Sequence, residues 1–265
     1  MKDLFSKRNK AFLRQLVLTE FKIRYQGSFL GYIWSLIKPL LLFIVLYFVF
    51  TQIFRFGDDF ENFETYLLLG IVLWTFFVEA TVGGQGSIVG RGDMIRKVSV
   101  PKFAVVLSMS ISALINLLLN LVVVFIFIFF TGVDIGPRIV FLPLFLIELF
   151  ILATICSYIL GTLYVKFRDI SYIWEVVLQM LFYATPIIYP LMIIENVFTQ
   201  KLLLLNPLAH IIQGAREVTI TQQTTTGYEL MGYIGDIVPL VIIVVAGAFA
   251  YWLFNKESPD FAEYL

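Results

Sequence analysis

The 265 residues are 60% hydrophobic and only 14% charged, with a mean hydropathy of +0.90, whereas a water-facing domain needs about 25% charged residues. A soluble core-and-surface protein is excluded, and an integral membrane protein is implied. Nineteen basic and nineteen acidic residues cancel to zero net charge, but their uneven placement along the chain sets the topology.

Near the start, Phe12, Leu13, Leu16, Val17 and Phe21 recur with Arg14, Lys22 and Arg24 between them. That spacing predicts an amphipathic helix lying along the membrane surface, within a cytoplasmic segment over residues 1–28. Gly27 and Gly31 loosen the backbone beside Ser28, and Tyr25, Tyr32 and Trp34 suit the headgroup level. The stretch reads either as an elbow at the cytoplasmic mouth, with Arg24, Tyr25 and Lys38 among the headgroups, or as an ordinary basic flank. The basic start leads into a full-length apolar run without a small-residue cleavage site, so the first span is expected to be retained.

Six runs are long enough to cross roughly 30 Å of hydrocarbon as helices, at about residues 31–54, 66–84, 104–130, 139–165, 172–194 and 234–254. The runs are too long and continuous for barrel strands, so the expected fold is an all-α membrane protein. Connector 55–65 is acidic, with Asp58, Asp59, Glu61 and Glu64, whereas connector 85–103 carries Arg91, Arg96, Lys97 and Lys102. Fourteen Lys and Arg fall in the N-terminal segment, the second and fourth connectors and the tail, against four in the other connectors. The positive-inside rule then puts both termini in the cytoplasm, with residues 31–254 as the membrane domain and 255–265 as a cytoplasmic tail of a single transmembrane domain, 1–265.

Within the second connector, residues 93–100 suit a short helix, with Asp93 at its start, Met94 beside it, Arg96 and Lys97 near its end, and Pro101 closing the segment. Such a helix either docks a partner or anchors on anionic lipid. The fourth connector, 166–171, is a tight turn in which Asp169 is placed to cap the fifth span. Pro186 and Pro190 must kink or break that span near the outer side. The apolar pieces that follow, separated by Asn206-Pro207, are too short to span and are expected as re-entrant or interfacial helices. Pro239 is a further candidate kink in the last span.

No phosphate-binding loop and no metal-ligand cluster occur, so no catalytic residues are assigned and no ATP hydrolysis is expected of this chain. Cys156 is the single cysteine, which rules out an intrachain disulfide. His210 suits a hydrogen-bonded structural role. Glu79, Glu148 and Glu175 fall inside spans, where each must pair, face a cavity or lie near an interface, as a proton relay or as packing.

Aromatic residues, at 17% of the chain, carry a more positive signal. Phe43, Tyr47, Phe50 and Phe54 recur at spacings that place them on one helix face. Trp74 and Phe77 of the second span and Phe182, Tyr183 and Tyr189 of the fifth are candidates to face the same space. Flat apolar rings suit the C–H faces of sugars, and they equally suit packing between helices.

Together, Glu20-Phe21-Lys22-Ile23-Arg24-Tyr25-Gln26-Gly27-Ser28-Phe29-Leu30-Gly31-Tyr32-Ile33-Trp34 with Lys38-Pro39, then Val100-Pro101-Lys102, Arg168-Asp169-Ile170, Thr185-Pro186-Ile187-Ile188-Tyr189-Pro190 and Asn206-Pro207-Leu208 resemble the permease subunits of ABC transporters that export polysaccharides, of the O-antigen and teichoic acid type. The resemblance implies a homodimer in a bacterial inner membrane that moves a lipid-linked glycan outward and contacts membrane lipid but no nucleic acid. ATP and Mg would be bound by a separate nucleotide-binding subunit, leaving this chain without a cofactor. By the same resemblance, Arg14, Asp93, Met94, Arg96, Lys97, Arg168 and Asp169 would meet the ATPase, and the aromatic residues would line the channel. An ABC exporter of small lipids or drugs shares the six-span plan, and a membrane enzyme would need an interfacial cluster of acids, histidines or arginines that is absent.

Overall fold

The computed structural model describes residues 7–25, 31, 33–53, 62–97, 100–220 and 224–265, and within them every regular element is helical. Surface helix α1 (Lys7–Tyr25) is followed by α2 (Ile33–Phe48), which widens into a π-helical turn at Val49–Ile53. Gly31, between them, holds φ +46°, a left-handed conformation that glycine adopts without strain. The rest of the expected elbow, residues 26–30, lies outside the described residues, as does the acidic connector through Glu61.

The chain continues as α3 (Phe63–Gly90), α4 (Gly92–Lys97), α5 (Lys102–Thr131), α6 (Leu142–Lys166) and α7 (Ile170–Ala184). It ends with α8 (Val197–Leu204), α9 (Pro207–Thr219), α10 (Gly227–Met231), α11 (Tyr233–Glu257) and α12 (Phe261–Tyr264). Five stretches among the described residues are long and apolar enough to cross a membrane: Ile33–Thr51, Phe63–Gly90, Lys102–Thr131, Pro137–Lys166 and Tyr233–Tyr264.

The fifth expected span differs. Helix α7 has 15 residues, about 22 Å at 1.5 Å per residue, which falls short of a hydrocarbon core of about 30 Å. Pro186 supplies no N–H and disfavours helical backbone at Thr185, which is extended, so the helix stops at Ala184. Asp169 precedes α7, but its side chain makes no capping hydrogen bond, contrary to expectation. Pro239, by contrast, sits inside α11 without ending it.

Helix α3 is the centre of the bundle. It is hydrophobic all round, and nearly every residue from Phe63 to Phe77 is buried. Small and polar residues bring its neighbours close. Ser157 of α6 donates to the Ala80 carbonyl at 2.9 Å, and Asn116 of α5 donates to Glu79 at 2.6 Å. Glu79 thus has an amide partner within the bundle.

On the side where α1 and the C-terminal residues lie, Leu16 of α1 packs with Ala104 and Val105 of α5, and Glu20 pairs with Arg91 in the turn after α3. The last residues fold back rather than trail away. Phe261 is buried among Ile88, Ile95, Val106 and Val165, while Lys102 donates to the Ser258 carbonyl and Lys166 pairs with Glu257. Phe261→Ala should therefore cost about 3–5 kcal/mol, measured as a lowered unfolding midpoint of the purified protein in detergent. An unchanged midpoint would show that the C-terminal segment is dispensable for packing.

Candidate functional site

Helices α3 and α7 run in opposite directions, so Trp74 is level with Phe182 and Thr81 with Trp174. With Leu42 of α2 they enclose an open groove of about 630 Å³. The Trp74 and Phe182 rings lie 5.5 Å apart, Trp74 and Phe77 6.0 Å, and Phe77 and Trp174 6.3 Å. Trp174 Nε1 donates to Thr81 Oγ1 at 3.2 Å, which fixes the indole. Tyr183 is exposed at one end, 5.4 Å from Phe182, and its carbonyl accepts from the Tyr189 hydroxyl at 2.9 Å.

The face expected from the first span is placed differently. Phe43 is buried, stacked on Tyr47 and edge-on to Phe127 of α5, each at 5.6 Å; Phe50 lies 6.4 Å from Phe63 of α3. Phe43 and Phe50 therefore pack inside the chain, Tyr47 is partly open, and Phe54 lies outside the described residues. The structure brings together Trp74, Phe77, Phe182 and Tyr183 and does not join Phe43 or Phe50 to them.

Sequence reasoning missed Trp174, Gln85 and Gln179 as groove residues and considered Glu175 only as an acid within a span. Applying helical spacing to α7 finds those on that helix, because Ser171, Glu175 and Gln179 recur every four residues, as do Trp174, Leu178 and Phe182, whereas Gln85 on α3 has no such signal.

Next to the Tyr183 end of the groove, the break after α7 is held by an arginine for which local sequence gives no signal. Arg216 of α9 is completely buried. Its Nε donates to the Tyr66 carbonyl at 3.0 Å, Nη1 to the Pro186 carbonyl at 2.5 Å and to Gln213 Oε1 at 3.0 Å, and Nη2 to the Ile187 carbonyl at 2.7 Å. Its guanidinium also sits 3.5 Å from the centre of the Tyr66 ring. Burial pushes its pKa down to about 10, which leaves it charged at neutral pH. The proline break frees carbonyls that apolar surroundings cannot hydrate, and the guanidinium collects them.

His210, also on α9, lies 3.9 Å from Glu148 of α6 and 3.8 Å from Asp236 of α11, and Phe145 meets it edge-on. Burial lowers its pKa. Nearby, Arg138 pairs with Glu217 at 3.1 Å. Asn196 and Asn206 cap α8 and α9 with their side chains, so the expected short helices exist, and α9 is longer than its apolar run suggested.

On the basic side, Arg14, Asp93, Arg96, Lys97, Arg168 and Asp169 are all exposed, whereas Met94 packs into the α1 cluster with Phe12, Leu13 and Leu16. Asp93 starts α4 and Arg96 and Lys97 end it, which is the charge order that suits a helix dipole. Lys38 is exposed on α2; Arg24 and Tyr25 belong to α1, but their side chains lie outside the described residues.

The family model of the ABC-2 type transporter matches residues 12–220. The chain is 28% identical over 262 residues to the O-antigen export system permease protein RfbA of Myxococcus xanthus, covering 96% of this chain and 95% of that protein. It is 29% identical over 247 residues to the protein of the same name from Klebsiella pneumoniae, covering 93% and 92%.

Proposed function

The chain belongs to the ABC-2 type transporter family, and from that premise we propose that it is the membrane permease of an exporter for O-antigen or a comparable lipid-linked surface glycan, teichoic acid included. The observation that carries this reading is the likeness to O-antigen permeases along almost the whole of both chains. Export of small lipids or drugs draws no support from it.

In this reading two copies of the chain sit in a bacterial inner membrane, with six crossings each and both termini in the cytoplasm. The fifth crossing in chain order is made by α7 together with the turn that follows it. A separate nucleotide-binding subunit binds ATP and Mg and supplies the energy. It docks on the exposed charges of α1, α4 and the 166–169 connector, and the glycan moves outward along the α3–α7 groove. The rings there offer apolar faces with few hydrogen bonds to release, which suits a polymer that must keep moving.

A cell whose only glycan exporter is this chain with its ATP-binding partner should display surface glycan. Arg96→Glu with Lys97→Glu should abolish both co-purification of the partner and surface display, because the reversed charges oppose the original contact. Absence of surface glycan with the unaltered pair would sink the export reading, and full co-purification of the doubly reversed variant would remove α4 from the interface.

A further inference from the structure

Resting on the reading of the chain as a glycan permease, we infer that Glu175, Gln179 and Gln85 form a hydroxyl-reading subsite for a neutral or amino sugar, which rejects anionic sugar units and so narrows the proposed cargo to glycans without phosphate in the repeat, teichoic acid excluded. The subsite lies at the end of the groove nearest the 166–169 connector, ahead of the aromatic rings.

The groove changes character along its length. Ser171, Glu175 and Gln179 share one face of α7, and Gln85 comes from the facing end of α3. Glu175 is five residues from the start of α7, about 8 Å along the helix, and Phe182 is seven residues, about 10 Å, further on. Hydrogen-bonding groups therefore cluster at one end, whereas Trp74, Phe182 and Tyr183 occupy the other.

Gln85 points to a ligand independently. The residue is only 4% exposed, yet its Nε2 has no hydrogen-bond partner among the described residues. A buried amide donor is costly to leave unmade, and a groove wall is where water or a sugar hydroxyl can accept from it. Glu175 supplies the complementary function. A carboxylate accepts from two hydroxyls of one sugar, and Gln179 both donates and accepts. The adjacent Trp174, its indole held by Thr81, offers a fixed apolar face to the same sugar ring.

Charge sets the class of sugar. Glu175 is the only charged side chain among the described residues that line the groove. A uronate or phosphate unit at this position meets a like charge, while an ammonium-bearing sugar gains an ion pair and a neutral sugar gains only hydrogen bonds. Selection here works by repulsion as much as by attraction.

The test uses the full chain assembled with its ATP-binding partner in lipid nanodiscs. Binding of three oligosaccharides of equal length is followed by tryptophan fluorescence: a neutral glucan, a glucosamine oligomer and a galacturonate oligomer. The expected order is glucosamine, then glucan, with galacturonate at least tenfold weaker than glucan. Glu175→Gln keeps the size of an exposed side chain and should bring glucan and galacturonate within about threefold of each other. Gln85→Leu should weaken glucan and glucosamine together without changing their ratio. Oligosaccharides that bind the unaltered complex with an order insensitive to Glu175→Gln overturn the subsite and leave the permease reading standing. Failure of the unaltered complex to bind any of the three overturns the subsite, and the permease reading is then decided separately by surface glycan in the complemented cell.

Discussion

Arg216→Leu is expected to destabilise the protein by at least about 3 kcal/mol, because each of three buried carbonyls left without a donor costs about 1–3 kcal/mol. Leucine fills part of the space but leaves the carbonyls of Tyr66, Pro186 and Ile187 without the donors that now reach them at 3.0, 2.5 and 2.7 Å. Arg216→Lys should fail almost as badly, because a compact ammonium cannot present a planar fork to acceptors on three segments. Gly70→Ala provides an independent check, since its new methyl would fall on the Arg216 guanidinium. The measurement is the unfolding midpoint in detergent, with protease access to the 185–196 segment followed in parallel. If Arg216→Leu has the unaltered midpoint and protection, the break is supported by something other than this residue.

The second large effect concerns transport. Trp74→Leu with Trp174→Leu should lower surface glycan on the order of tenfold, if each ring contributes about 0.5–1.5 kcal/mol of stacking to the moving sugar, as it does to another ring. Leucine is smaller but apolar, and neither ring lies among the exposed charges proposed to meet the partner subunit, so assembly with it should persist. Trp174→Phe should retain most export, since it keeps a ring while losing the bond to Thr81. Phe50→Leu serves as the control, because Phe50 packs against Phe63 within the chain, and a volume-conserving swap there should cost less than about 1.5 kcal/mol. Full surface glycan with the double leucine variant would show that the α3–α7 rings are packing and that the polymer travels elsewhere.

Arg216 and the groove differ in how far the sequence exposes them. The helical class, the surface helix before the first span, the short charged α4 and the helix start at Asn206-Pro207 are all local features. Each depends on spacing, on a charge order within a few residues, or on a proline that removes a donor, so the order of residues suffices. The same holds for the break after Ala184, which two prolines four apart require. Hydropathy does not register the break, however, because the apolar run continues past both prolines to about residue 194, and the fifth expected span therefore extends beyond the end of α7 at Ala184.

Which face of a helix meets which neighbour is a different kind of fact. Phe43 and Phe50 lie at helical spacing as expected, yet α2 turns them toward Phe127 and Phe63 and presents Leu42 to the groove, an orientation set by contacts with residues more than ten positions away. Arg216 is 150 residues from Tyr66 and about 30 from the two carbonyls beside Pro186, and Phe261 is buried against a helix that ended long before it. Sequence alone determined that this chain is a helical membrane protein, where its breaks fall and which side carries its positive charge, because hydropathy, proline and local charge act over a few residues. Only the tertiary structure decided which aromatic residues share a cleft, which cation replaces water for a broken helix and where the last residues dock, because those outcomes are set by packing between segments far apart in the chain.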